Sequence, residues 1–100
     1  MVKRQHILAL VLTAVQALNE ERPVGEQLAL SEDTLLFGDG AELDSLSLVS
    51  VIVDIETAVT DQFNEPISLT DDRAMSRAVS PFTNVAALVD YIHELLAEKA

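Results

Sequence analysis

Few side chains in this chain could carry nucleophilic or acid–base chemistry. His6 and His93 are the only imidazoles, and there is no cysteine, hence no disulfide, thiolate zinc site or thiol nucleophile. His93 opens "HELLAE", which starts like a zinc-protease helix, but the second histidine that such a helix needs one turn on is missing. Both histidines read as surface or rim residues. The adjacent pair Glu20 and Glu21 is unremarkable in a chain this acidic. Ser45 remains, in "GAELDSLSLVSVIVDIE", where a loop rich in turn residues gives way to a long apolar run. A hydrolytic serine needs a base and an orienting acid. Neither histidine can be placed beside Ser45 from the sequence, and "LDSLS" lacks the glycines of a nucleophile elbow. Two readings stay open: a helix cap whose oxygen takes a free backbone N–H, or a point at which something is attached.

Composition narrows the class further. One hundred residues suffice for one domain with one core, so positions 1–100 are read as a single domain. Hydrophobic residues make up 49% of the chain and aromatics only 4%, so the core must be aliphatic. Three glycines and three prolines are too few for a turn-rich β-sandwich and favour helices. The net charge of -11 argues against nucleic acid and against anionic membrane surfaces. No Lys or Arg lies between Arg22 and Arg73, an interval that holds acids from Glu26 to Glu65. Such an excess serves solubility, or it forms a surface for basic partners.

Four elements must position Ser45. A first helix is expected from about Val2 to Asn19, with Ile7, Val11, Ala14, Val15 and Leu18 on its apolar face, stopping before Pro23. The same stretch, "MVKRQHILALVLTAVQA", resembles a secretory signal with small residues near Ala17. The helix reading is preferred, because cleavage there would strip a small domain of much of its core. No stretch is long enough to span a bilayer. A long connection follows, with Leu35, Leu36 and Phe37 as expected anchors and a "GDG" turn at Gly38–Gly40 that lacks the neighbours of a phosphate loop. A second helix starts at Asp44 or Ser45. Leu48, Ile52, Ile55, Val59 and Phe63, widened by Val51, form its core stripe, and Ser47, Ser50, Asp54, Thr57 and Asp61 its polar stripe. Between these lie Leu46, Val49, Val53 and Glu56, either the edge of a broad core face or a recognition strip. After Pro66, Ile67 and Leu69 point inward. Thr70 caps a short third helix with Asp71 and Asp72 in its first turn, where the helix dipole favours acid. Thr83 starts a last helix with Val85, Leu88, Val89, Ile92 and Leu95 on one face, ending near Lys99. The expected fold is an all-α, small four-helix bundle, with three long helices, one short helix and a long loop between helices one and two.

With these elements in order, "LFGDGAELDSLSLVSVIVDIETAVTDQF" and "SPFTNVAALVDYIHELL" resemble an acyl carrier protein, a member of the phosphopantetheine-binding carriers. The resemblance runs from about Leu35 to the C-terminus and is compatible with the first helix. It rests on an Asp-Ser-Leu motif at a loop-to-helix junction in an acidic chain with the expected helix order. It implies that Ser45 receives a 4'-phosphopantetheine arm from a phosphopantetheinyl transferase (holo-ACP synthase), with Asp44 and Leu46 completing the recognition motif. It implies a non-enzymatic, cytoplasmic, monomeric protein that carries an acyl or aminoacyl thioester. Loading ligases or synthases with basic docking surfaces would be its partners, reading Leu46, Val49, Val53, Asp54 and Glu56. Physical chemistry is compatible with the assignment, since a phosphodiester at a helix N-terminus meets free N–H groups and a favourable dipole. An arm ending in a thiol would also account for a thioester carrier that has no cysteine of its own. The chain departs from the fatty-acid-synthesis pattern in a longer second helix, a longer preceding loop and serines at 47 and 50 in place of acids. Those departures point to a specialised lipid or secondary-metabolite carrier. The alternative is a carrier-like acidic interaction module that is never modified.

Overall fold

Apolar residues recurring every three or four positions, with few breakers among them, dictate helices that must bury one face each. The computed structural model describes residues 3–36, 45–69 and 81–99. They form three α-helices, α1 (Arg4–Asn19), α2 (Ser45–Phe63) and α3 (Val85–Lys99), and a single turn of 3₁₀ helix at Val24–Glu26. Among the described residues no strand forms, and the one β-type pairing is an isolated bridge between Leu35 and Asn84. The short third helix expected from Thr70, with Asp71 and Asp72, lies outside the described residues. So do Val2, Phe37, the "GDG" turn and Asp44.

The core is mainly aliphatic, with Phe82 and Tyr91 as its aromatic members. From α1 it takes Ile7, Leu10, Val11, Ala14 and Val15, and from α2 Leu48, Val51, Ile52, Ile55 and Val59. From α3 it takes Val85, Leu88, Val89, Tyr91, Ile92, Leu95 and Leu96. The segment that also reads as a secretory signal therefore supplies one wall of the core. Phe63 and Leu18, read as part of the apolar faces, are partly buried against it. Tyr91 and Leu96 widen the buried face of α3 beyond the expected stripe. Leu69 is fully buried and Ile67 partly so, as expected.

α1 packs against both α2 and α3. It runs antiparallel to α2, because His6 near its start meets Gln62 near the end of α2, with His6 Nε2 and Gln62 Oε1 2.9 Å apart. α1 ends before Pro23, and its last residue, Asn19, is buried. The Asn19 side chain binds the passing backbone twice: Nδ2 donates to the Leu28 carbonyl (2.9 Å), and Oδ1 accepts from the Leu28 N–H (2.7 Å). Thus clamped, the connection doubles back along α1 until Glu32 reaches the Arg4 guanidinium at the other end (2.6 Å). Asp90 on α3 accepts from the same guanidinium at 2.6 Å. These bonds, Asp90 first and then Glu32, raise the Arg4 pKa above its ordinary value.

The connection then closes the start of α3. A helix leaves its first four N–H groups without intrahelical partners. Here the Val85 N–H donates to the Thr34 carbonyl, the Ala86 N–H to the Glu32 carbonyl, and the Ala87 N–H to Asn84 Oδ1. The Leu88 N–H then makes the first regular helical bond, to the Asn84 carbonyl. The cap is therefore Asn84, and α3 begins at Val85, two residues later than the expected Thr83. Thr83 instead accepts the Leu36 N–H through its carbonyl at 3.0 Å. This extended pairing alternates side chains, so Leu36 is fully buried while Leu35, expected as an anchor, is 39% exposed.

Candidate functional site

α2 spans Ser45–Phe63, with Ser45 one of the two starts read from the sequence and the other, Asp44, outside the described residues. Its core stripe faces α1 and the interior, which leaves Leu46, Val49 and Val53 on a face that no described element covers. They are 83%, 55% and 51% exposed, so the edge-of-core reading of this strip does not hold. Singly exposed apolar residues are ordinary, but a run of them on one helix face is worth explaining. Half of the large hydrophobic residues exposed in the described chain lie here, the others being Val24, Leu30 and Leu35.

Glu56 continues the strip but is not an idle surface acid. Its carboxylate accepts the Leu69 N–H at 2.7 Å, and so ties the segment after α2 to the helix. α2 ends at Phe63, and the next residue, Asn64, takes the left-handed conformation (φ 55°) that asparagine tolerates better than most residues. Asp54, Ser50, Thr57 and Asp61 are exposed, and Ser47 is half-buried and engaged. Of the two acids read as recognition residues, Asp54 faces solvent while Glu56 is committed to a backbone bond.

One flank of the strip drops into the seam between α2 and the end of α1. A cavity of about 310 Å³ opens there, lined by Ala17, Glu20 and Glu21 of the α1 end and by Ser50, Val51 and Asp54 of α2. A second hollow of about 210 Å³ continues it toward Gln62, sharing Ala17 and Asp54 and floored by Leu10, Ala14 and Ala58. Apolar at one end and acidic at the other, the two make a single trough. Sequence reasoning gave Glu20 and Glu21 no role. Only the antiparallel packing of α1 on α2 brings them to Asp54.

His6 packs at the far end of α2, its ring edge-on to Phe63 with centroids 4.9 Å apart. At ~1.5 Å rise per residue, the 19 residues of α2 put that end more than 20 Å from Ser45. His6 therefore cannot serve Ser45 as a general base, which must lie within hydrogen-bond reach. Among the described residues no group of three or more His, Asp or Glu side chains is arranged to hold a metal ion. No described helix is long and apolar enough to cross a membrane.

These features define an all-helical domain with an exposed apolar strip behind a helix-initiating serine. Comparison with known protein families, with curated protein sequences and with solved structures returns no match.

Proposed function

We propose that the chain is a discrete, non-catalytic acyl carrier protein, working as a monomer in the cytoplasm and bearing its cargo as a thioester on a 4'-phosphopantetheine arm at Ser45. The observation that carries this reading is the strip of Leu46, Val49 and Val53 directly behind Ser45 on α2. The strip gives an enzyme something apolar to grip beside the residue it would modify or load. The site fits the group in one further respect. As the first residue of α2, Ser45 would hold a phosphodiester at a helix N-terminus, where backbone N–H groups and the dipole favour an anion. Attachment requires the Ser45 hydroxyl to attack the pyrophosphate of coenzyme A. A phosphorus–oxygen bond to serine forms, the bond to the nucleotide phosphate breaks, adenosine 3',5'-bisphosphate leaves, and the hydroxyl proton passes to a base of the transferase.

Partners with basic docking surfaces suit the acid around this face, and the departures around Ser47 and Ser50 favour a dedicated loading enzyme over the general fatty acid synthase. The test is the intact mass of the protein after incubation with coenzyme A and a phosphopantetheinyl transferase. One arm should be gained, and Ser45→Ala should abolish the gain while costing at most about 1 kcal/mol of stability, the cost of a lost helix cap, and less where Asp44 supplies the capping oxygen. A wild-type protein that stays unmodified under conditions that load other carriers would replace this proposal with an acidic interaction module that never takes the arm.

A further inference from the structure

The geometry points to Val24, on the connection and not on α2, as a contact that the enzyme modifying Ser45 uses to recognise this chain. The inference rests on the proposed carrier function and gives a role to a turn that function leaves unused. The two most exposed large hydrophobic residues of the described chain are Val24 (87%) and Leu46 (83%). Remote in sequence, they share one end of the bundle. α1 runs antiparallel to α2, so its last turn lies beside Ser50 and Val51, in the half of α2 that begins with Ser45. Beyond Asn19 the chain keeps advancing in that direction. The Glu21 N–H donates to the Leu18 carbonyl and the Arg22 N–H to the Asn19 carbonyl, each at 3.0 Å, and the 3₁₀ turn Val24–Glu26 follows. An enzyme that reaches the Ser45 hydroxyl covers this end of the molecule and meets Val24 there.

The turn is built to hold this side chain out. Pro23 fixes its own φ just before it. At the base of the loop, Gln27 Nε2 donates to the Asn19 carbonyl at 3.0 Å, and the Asn19 amide holds Leu28. Residues 20–27 thus leave and rejoin the molecule at Asn19. The tip stands clear of it: a Cβ added at Gly25 would meet no atom within 4 Å. A lone exposed apolar side chain is ordinary. One at the tip of a loop tied at its base is pre-organised, so a partner covers it without first ordering the loop. The occupant is the phosphopantetheinyl transferase, because no thioester forms until its arm supplies a thiol. What it needs is an apolar depression that takes a valine side chain. Leu30 and Leu35 do not share this position. Past Leu28 the connection turns back along α1 toward Arg4, and Leu35 pairs with Asn84 at the start of α3.

The test follows transfer of the arm from saturating coenzyme A to the full chain by a phosphopantetheinyl transferase, with intact mass read over a range of carrier concentrations. Val24→Ser should raise the KM for the carrier about fivefold and leave kcat unchanged, the mark of a contact made equally before and in the transition state. Val24→Ile keeps the apolar contact and should hold KM within about twofold of the wild type, as should Leu30→Ser, which removes an exposed leucine elsewhere on the connection. The urea midpoint of Val24→Ser should match that of the wild type, because the side chain packs on little in the free protein. A wild-type chain that takes no arm overturns the carrier reading and this inference together. A wild type that is modified, with KM unchanged in Val24→Ser, overturns this inference alone. So does a rise in KM for Leu30→Ser equal to that for Val24→Ser, which would reduce the effect to general apolarity of the connection.

Discussion

Replacing Asn19 by alanine tests whether a single side chain holds the long connection in place. Asn19 is 2% exposed, and its amide makes both bonds to Leu28, itself a core residue. Alanine removes both bonds and strands a buried N–H and a buried C=O. Each unsatisfied backbone group costs about 1–3 kcal/mol, so the pair costs roughly 2–6 kcal/mol, less whatever water recovers by entering. We expect about 3 kcal/mol, a large part of the ~5–15 kcal/mol that keeps a domain folded. At about 4–8 °C per kcal/mol for a domain near this size, the melting temperature should fall by roughly 12–24 °C. Urea titration followed by far-UV circular dichroism measures the loss directly. Gln27→Ala is the comparator: it removes one bond from an exposed side chain to the Asn19 carbonyl and should cost under about 1 kcal/mol. Were Asn19→Ala no more destabilising than Gln27→Ala, the clamp would be a consequence of the packing and not one of its causes.

Three further outcomes are expected. Val53→Ala should leave the melting temperature nearly unchanged, since the side chain is half exposed, yet slow a cognate loading enzyme; lost stability with an unchanged loading rate would make Val53 a packing residue. Removal of residues 1–17 takes out Ile7, Leu10, Val11, Ala14 and Val15. At about 1.5–3 kcal/mol for each large aliphatic side chain, the remainder should show no cooperative unfolding transition, and a sharp one would refute the role given to α1. Glu56→Ala should cost about 1.5–3 kcal/mol, the range for a hydrogen bond to a charged group, and should speed hydrogen exchange at the Leu69 amide more than at Val85.

The three helices were legible because their buried faces repeat at helical spacing. Legibility failed wherever backbone groups found distant partners. Nothing local marks Asn19 as a clamp on Leu28, since asparagine at a helix end reads equally well as a solvated terminus. Leu35 and Leu36 are indistinguishable by composition, and only the pairing with Thr83 and Asn84 decides which one turns inward. Asn84, not Thr83, caps α3 because the Thr83 carbonyl and the carbonyls of Glu32 and Thr34 are committed to the connection's own contact with the helix. Within the candidate site, the strip on α2 was visible as a pattern, but its exposure depended on which side α1 occupies. The pairing of Glu20 and Glu21 with Asp54 follows from the antiparallel packing of α1 and α2, which the sequence order leaves open.

The bonds between the connection and the start of α3 bear on how the chain is made. The Thr34 carbonyl waits for a partner that is synthesised some fifty residues later, at Val85. At ~5–20 residues per second, that interval lasts several seconds. During it, Leu28 and Leu36 have emerged, α1 has half of its packing surface, and the backbone that will close α3 has only water to bind. A ribosome pausing before residue 85 would prolong this open state and present apolar side chains to chaperones. A chain released there could not finish the loop, because the Val85 and Ala86 N–H groups that take the Thr34 and Glu32 carbonyls belong to the last helix.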